Sequence, residues 1–180
     1  MTSIRTYVDS IFDELVSLRR DIHAHPELGM HETRTSALIR RELEKMGVDE
    51  LQQPLPTAVV ALIHGAKGAG KCVALRADID ALPVHEESGV PFASQTEGVM
   101  HACGHDMHAA VLFGVLKAFA ATPDFRGTLF GLFQPGEECN PGGASLVLAE
   151  KPFEGYDVRA VVGEHVEPQL EVGTLGFRAG

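Results

Sequence analysis

Between residues 8 and 22 the apolar side chains Val8, Ile11, Phe12, Leu15, Leu18 and Ile22 recur at helical spacing, which places them on one stripe of an α-helix. "HAHPELG" (23–29) breaks that stripe, because Pro26 and Gly29 are loop punctuation. A second helix is predicted from Glu32 to Met46, with Ala37, Leu38, Leu43 and Met46 turned inward and Gly47 as its C-terminal cap. Then the period changes. "TAVVALIH" (57–64) and "CVALRA" (72–77) are short apolar runs rich in Val, Ile and Leu, the pattern of buried strands. "DMHAAVLFGVLKAFAA" (106–121) predicts a helix ending before Pro123, "GTLFGLFQ" (127–134) a strand, and "GGASLVLAE" (142–150) a helix. "VRAVVGEH" (158–165) predicts another strand, and "VGTLGFRAG" (172–180) the start of a further one. Strands alternating with helices predict an α/β fold, a mixed, mostly parallel sheet covered by helices. The short link between the first two strands predicts a hairpin. No internal repeat or low-complexity segment interrupts the pattern.

Composition narrows the class. A chain of 180 residues fits one domain, and 44% hydrophobic residues supply a core. A formal net charge of −10 argues against nucleic acid as the main partner, since the phosphate backbone needs clustered Lys and Arg. The basic pair Arg19–Arg20 reads as a solvated helix face. Three cysteines, Cys72, Cys103 and Cys139, fit no disulfide framework, so a reducing compartment is expected. The N-terminus lacks the apolar core of a signal peptide, and no stretch approaches a membrane span. A cytoplasmic protein without a membrane partner is the expectation.

One motif is a decoy. "GAKGAGKC" (65–72) nearly matches a phosphate-binding loop, but such a loop joins a strand to a helix, and this one leads into the strand "CVALRA". Cys72 also stands where a magnesium-binding hydroxyl is needed. A hairpin turn is the better reading.

Chemistry collects after the strands. Asp78 and Asp80 follow "CVALRA", Glu137 and Glu138 follow "GTLFGLFQP", and His165 closes "VRAVVGE". In open α/β sheets the carboxyl ends of the strands border the ligand crevice, so these groups share one rim. In "HACGHDMHAA" (101–110), Cys103 and His105 can reach one metal from a tight loop, and thiolate with imidazole suits zinc and similar first-row metals. Of the paired glutamates, one can bind metal while its neighbour takes a proton. His101 and His108 read as helix-cap or surface residues, supporting or structural rather than ligands. A Cys103–His105 nucleophile pair is the rival chemistry, although such partners usually come from distant sequence.

"LRRDIHAHPELGMHE", "LRADIDALPVHE", "MHACGHDMHAA", "FQPGEECNPGGA" and "GEHVEPQLEVGTLGF" resemble, in order, the motifs of the M20 metallopeptidase family. The subgroup is the amidohydrolases that include hippurate hydrolases, N-acetyl-diaminopimelate deacetylases and auxin-conjugate hydrolases. The resemblance implies a zinc-peptidase-like catalytic domain, two divalent metal ions (Zn, Mn, Co or Ni), and hydrolysis of N-acyl amino acids. It implies Cys103, His105, Glu138 and His165 as metal ligands, Glu137 as general base, and Asp80 as the acid that orients the site. Asp78 gains no firm role, and His25 is not assigned to catalysis. Family members are longer. Residues 1–180 therefore correspond to the N-terminal portion of the catalytic domain, and the resemblance implies a lid and dimerisation domain beyond them. That domain would carry homo-oligomer contacts and a histidine acting on the scissile carbonyl, with another metal-binding histidine in the returning segment. Glu164, where an apolar residue is expected, and Cys139, expected simply to pack, are departures. The alternative is an incomplete fragment or inactive metal-binding module with no turnover alone.

Overall fold

A computed structural model describes residues 4–177 of the chain. Its elements are α1 (Ile4–Ala24), α2 (Thr33–Met46), β1 (Glu50–Gln52), β2 (Val59–His64), β3 (Cys72–Asp78), α3 (His105–Ala121), β4 (Thr128–Gln134), α4 (Gly143–Ala149) and β5 (Val158–Gly163). The five strands form one sheet in the order β1-β2-β4-β3-β5. The sheet is mixed: β2 runs antiparallel to β1 and β4, while β3 is parallel to β4 and β5, so only β2 points against the others.

The hairpin expected between β2 and β3 is not formed. Both strands pair with β4, which lies between them. The 65–71 loop therefore crosses over the start of β4, held by Gly65 N–H to Gly127 O (2.9 Å), Lys67 N–H to Phe125 O (3.0 Å) and Gly127 N–H to Gly68 O (2.9 Å). A side chain at Gly127, whose φ is +96°, would run into the Lys71 carbonyl. The short link gave a hairpin expectation because loop length cannot reveal a strand inserted later in the chain. The loop leads into β3, as expected of the rejected phosphate motif. The short strand β1 had no sequence signal. No strand forms over 172–177, and residues 178–180 lie outside the described residues.

Alternation within the strands builds two cores. Val59, Ala61 and Ile63 of β2 and Leu129 and Phe133 of β4 face α1, α2 and α3, joining Ile22, Ile39, Leu43 and Leu116. Val60, Leu62, Ala74, Phe130 and Leu132 face the other way, toward Val147 of α4, Phe153 and Tyr156. A sheet covered on both faces reads as continuous apolar runs, which is why β2 and β4 were recognisable. Gly131 lets α3 settle close, since a Cβ there would lie 2.4 Å from Leu116 Cδ1.

The helix faces differ from expectation in detail. In α1, Ile11, Leu18 and Ile22 are buried, but Phe12 is 58% exposed. In α2, Ala37 is exposed and Ile39 takes the inward place. Gly47 caps α2 as expected, in the left-handed conformation with its N–H bonded to Leu43 O and Glu44 O. The other end is capped from outside, for Glu27 accepts the N–H groups of Arg34 (2.9 Å) and Thr35 (2.8 Å). Arg19 and Arg20 are not merely solvated. Both guanidinium groups lie over the Phe92 ring, at 4.8 and 5.0 Å, and Arg19 Nε sits 2.6 Å from the buried Asp106. Among the described residues, no helix is long and apolar enough to cross a membrane.

Candidate metal centre

The carboxyl ends of β3, β4 and β5 lie side by side because these three strands are parallel and adjacent. Asp78 ends β3, with Asp80 two residues on. Glu137 and Glu138 occupy the turn after β4, and His165 follows β5. Cys103 and His105 enter the same rim from the start of α3. Gly104 between them has φ +80°, a left-handed turn that suits glycine.

Three sets of donor atoms converge, each within 4.8 Å: Cys103, His105 and His165; Asp78, His105 and His108; and His105, Glu137 and Glu138. His105 belongs to all three and is fully buried. Its Nδ1 lies 2.9 Å from Asp80 O and 3.1 Å from Asp80 Oδ1. Both partners are acceptors, so Nδ1 carries the proton and Nε2 keeps its lone pair. That Nε2 is buried with no hydrogen-bond partner, 4.0 Å from Glu137 Oε2. The second oxygen of Asp80 accepts Glu138 N–H at 2.9 Å. One carboxylate thus orients an imidazole and the paired-glutamate turn.

His165 follows the same rule more exposed to solvent. Its Nδ1–H donates to Val166 O at 2.7 Å, which leaves Nε2 as an acceptor for the Cys103 thiol, 3.4 Å away. Burial pulls the His105 pKa down, but the Asp80 bond and the charges of Asp78 and Asp80 outweigh it and raise it. Burial likewise opposes ionisation of Asp80, yet the bonds from His105 and the Glu138 N–H hold its carboxyl below the usual range. Burial, reinforced by Glu138 and the nearby carboxylates, pushes the Cys103 thiol up to about 11. A thiol so firmly protonated is a poor nucleophile, which weighs against the Cys103–His105 nucleophile reading.

An orphaned imidazole nitrogen, a thiol, a second imidazole nitrogen and two carboxylates make a donor set that fits a borderline first-row divalent cation. The buried, unpartnered Nε2 of His105 is the observation behind that fit.

His101 and His108 are not surface residues, at 3% and 2% exposure. Both His101 ring nitrogens are buried without partners, and burial lowers its pKa to about 4 against the pull of Asp106. Cys139 packs against Gly29, where a Cβ would come within 2.4 Å of its Sγ. Glu164 is exposed, and His25 bonds through Nδ1 to Asp21 O, 2.8 Å away. One site-building residue closes the first quoted motif but was given no role there. Glu32, fully buried, accepts N–H groups from Met30 (2.9 Å) and Gly136 (2.8 Å), and so anchors the turn that presents Glu137.

The chain is 42% identical over 178 residues to the N-acyl-L-amino acid amidohydrolase of Geobacillus stearothermophilus, covering 98% of this chain and 47% of that protein. It is 42% identical over 168 residues to the N-acetyl-L-cysteine deacetylase of Bacillus subtilis strain 168, covering 93% of this chain and 39% of the relative. The chain thus spans less than half the length of these curated relatives. Its fold superposes with a TM-score of 0.90 and 41% identity on the Bacillus subtilis YXEP protein, described as a dinuclear metal binding peptidase from the M20 family, over 96% of this chain and 48% of that one. The sequence profile of peptidase family M20/M25/M40 matches residues 74–180, most of the chain and all of the rim just described, and on that match the chain belongs to this family.

Proposed function

We propose that this chain supplies the metal-binding and proton-accepting half of a metal-dependent amidohydrolase that releases amino acids from N-acyl amino acids. The observation that carries the proposal is the bare, buried Nε2 of His105, fixed by Asp80 and surrounded by Cys103, His165, Glu137 and Glu138. Cys103, His105, Glu138 and His165 are the residues that would hold two divalent cations of the Zn, Mn, Co or Ni type. Cations held there would supply Lewis acidity toward an acyl oxygen and would lower the pKa of water toward about 7. The protein's own work is positioning and proton transfer. Asp80 fixes the His105 tautomer and the Glu138 backbone, as partners of metal-binding histidines do. Glu137, with its side chain 40% exposed, is open to substrate and serves as general base, then returns the proton to the leaving amine. The substrate class follows the printed activities of the amidohydrolase and deacetylase relatives.

Residues 1–180 then form the N-terminal portion of the catalytic domain of a longer, homo-oligomeric enzyme with a separate lid. The exposure of nearly all of β5 and of 164–177 favours a second reading, a module that binds metal and turns over nothing alone. Two measurements separate them. Elemental analysis after dialysis should find about two equivalents of metal, and near zero sinks the ligand assignment. Amino-acid release from N-acetyl and N-benzoyl substrates should fall about 100-fold or more in Glu137→Gln while metal content stays. Turnover by a longer form but none by this chain selects the module.

A further inference from the structure

Three imidazoles cluster at the rim, His105 and His108 tilted with ring centroids 5.1 Å apart and His108 and His165 edge-on at 4.6 Å. Distance alone would make His108 a third ligand, since it lies with Asp78 and His105 in one convergent, fully buried set. The hydrogen bonds decide otherwise. Val166 N–H donates to His108 Nε2 at 3.2 Å. A nitrogen that accepts an N–H bears no proton, so the neutral ring carries its proton on Nδ1. That Nδ1–H faces the Asp78 carboxylate across 3.8 Å, a charge contact without a hydrogen bond, both side chains being almost wholly buried. It has no lone pair to give a cation. His105 and His165 show the opposite pattern, with Nδ1 protonated and the Nε2 lone pair turned to the rim, bare in His105 and facing the Cys103 thiol in His165.

Val166 joins the two behaviours. Its N–H is held by His108, and its carbonyl accepts His165 Nδ1–H at 2.7 Å. Its side chain lies over Gly104, where an added Cβ would come within 2.5 Å of Val166 Cγ2. One peptide segment is thus fixed on one side by a buried imidazole, and on the other fixes an exposed one. Asp78 sets the direction of the chain. Its carboxylate favours a proton on the facing Nδ1, which keeps Nε2 an acceptor, and Arg76 holds the carboxylate from behind.

We infer that His108 is a positioning residue, not a ligand: with Nε2 accepting the Val166 N–H and Nδ1–H turned toward the Asp78 carboxylate, it grips the Val166 backbone and thereby aims His165 Nε2 into the metal centre. The inference rests on the metal-centre reading above for its consequence, but its structural content stands without a cation. Outer partners of metal ligands typically contribute 10- to 100-fold in metal affinity, and His108 should act in that range.

The test uses the 180-residue chain and zinc as the probe. Imidazole nitrogen shifts of the metal-free chain should show His108 as the Nδ1–H tautomer, and an Nε2–H tautomer overturns the inference. In zinc titrations, His108→Leu should bind about 10- to 100-fold more weakly than wild type. His108→Gln, whose amide oxygen can sit where Nε2 sits, should recover most of that loss. His108→Asn is too short to reach Val166 and should stay weak. Wild-type affinity in His108→Leu, or equal affinity in the Gln and Asn variants, overturns the inference; the second comparison holds even if the Leu variant does not fold. His165→Ala is the control for the metal centre. If it binds zinc like wild type, or wild type binds none, the metal-centre reading fails by itself. Hydrogen exchange at the Val166 amide then still judges His108: it should be slow in wild type and in His108→Gln and fast in His108→Asn, and equal rates in all three overturn it.

Discussion

His23 and His105 are both buried histidines that turn Nδ1 to an aspartate, and they end in opposite conditions. His23 Nδ1 meets Asp106 Oδ2 at 2.9 Å and Nε2 meets Glu86 Oε1 at 3.1 Å. His105 Nδ1 meets Asp80 Oδ1 at 3.1 Å, and Nε2 meets nothing. Around His23 the groups tie elements together: Asp106 opens α3, Arg19 and His23 belong to α1, and Glu86 secures the 83–99 loop, closed by the Leu82–Met100 bridge. Around His105 the groups aim a lone pair. Residue type, burial and an aspartate partner are shared, so none of them tells a structural tie from a ligand. The second nitrogen does.

Removing the tie should have the largest effect. Asp106 is fully buried, with Arg19 Nε 2.6 Å away in a charge contact whose N–H is not aligned on the oxygen. Asp106→Ala leaves Arg19 and His23 facing an empty place. Breaking a buried ionic cluster from one side costs about 3–5 kcal/mol. Urea unfolding in the presence of a chelator should show a loss of that size. A loss below about 1 kcal/mol would erase the distinction between the two regions.

A matched pair of asparagines separates them more finely. The Asn amide can replace the Nδ1–H donor but offers nothing at Nε2. His105→Asn keeps a donor toward Asp80, so it should lose zinc affinity by more than about 100-fold while metal-free stability falls little. His23→Asn should do the reverse, losing about 1–3 kcal/mol from the broken Glu86 contact while binding zinc nearly as wild type. If both variants lose affinity equally, the two histidines are not functionally distinct.

What was legible in the sequence follows the same division. Strands buried on both faces announce themselves as continuous apolar runs, as β2 and β4 do; amphipathic helices announce themselves through their period, as α1 and α2 do; and β3, β5 and α3 were recognisable from apolar runs whose burial differs. The rim was legible too, because parallel neighbours deliver whatever follows them to one side, and Asp80, Glu137, Glu138 and His165 all follow strands. Long-range pairing was not. The insertion of β4 between β2 and β3 depends on a contact that no window contains. Glu32 reaches Gly136 across 104 positions. For His101 and His108 only the surface alternative fails, because a helix start rich in histidine looks polar until its surroundings close over it.

Acid should probe the two regions in different windows. Burial alone would raise the Glu86 pKa, but the Ser88 hydroxyl, the Ser94 N–H and His23 outweigh it and hold it at about 2, from an ordinary 4.5. A folded pKa below the unfolded one adds stability above pH 4.5 that is lost as pH falls toward 2. After allowance for solvent, the loss is on the order of 2 kcal/mol. His101, buried and neutral, places its own loss higher, between 6.5 and about 4, because the unfolded chain takes up the proton first. Glu86→Gln should flatten the lower limb of the stability curve and His101→Gln the upper one, each leaving the other limb in place. One limb responding to both changes would mean that the groups titrate as a unit.

The smallest effect lies at the edge of the tie. Phe92 receives Arg19 and Arg20 on its face and the His23 ring edge-on at 5.4 Å. Phe92→Leu keeps apolar volume and removes the aromatic face, so it should cost about 1–2 kcal/mol, the sum of two modest cation–ring contacts and one ring–ring contact. The variant leaves Arg19 beside Asp106 and does not touch the rim. Amide exchange in the 83–99 loop should speed up, while zinc affinity stays within about twofold, since no partner of a candidate ligand is altered. A large fall in zinc affinity would mean that the loop held by Glu86 and Phe92 belongs to the metal centre after all, and that the saturated and the bare histidine are two ends of one device.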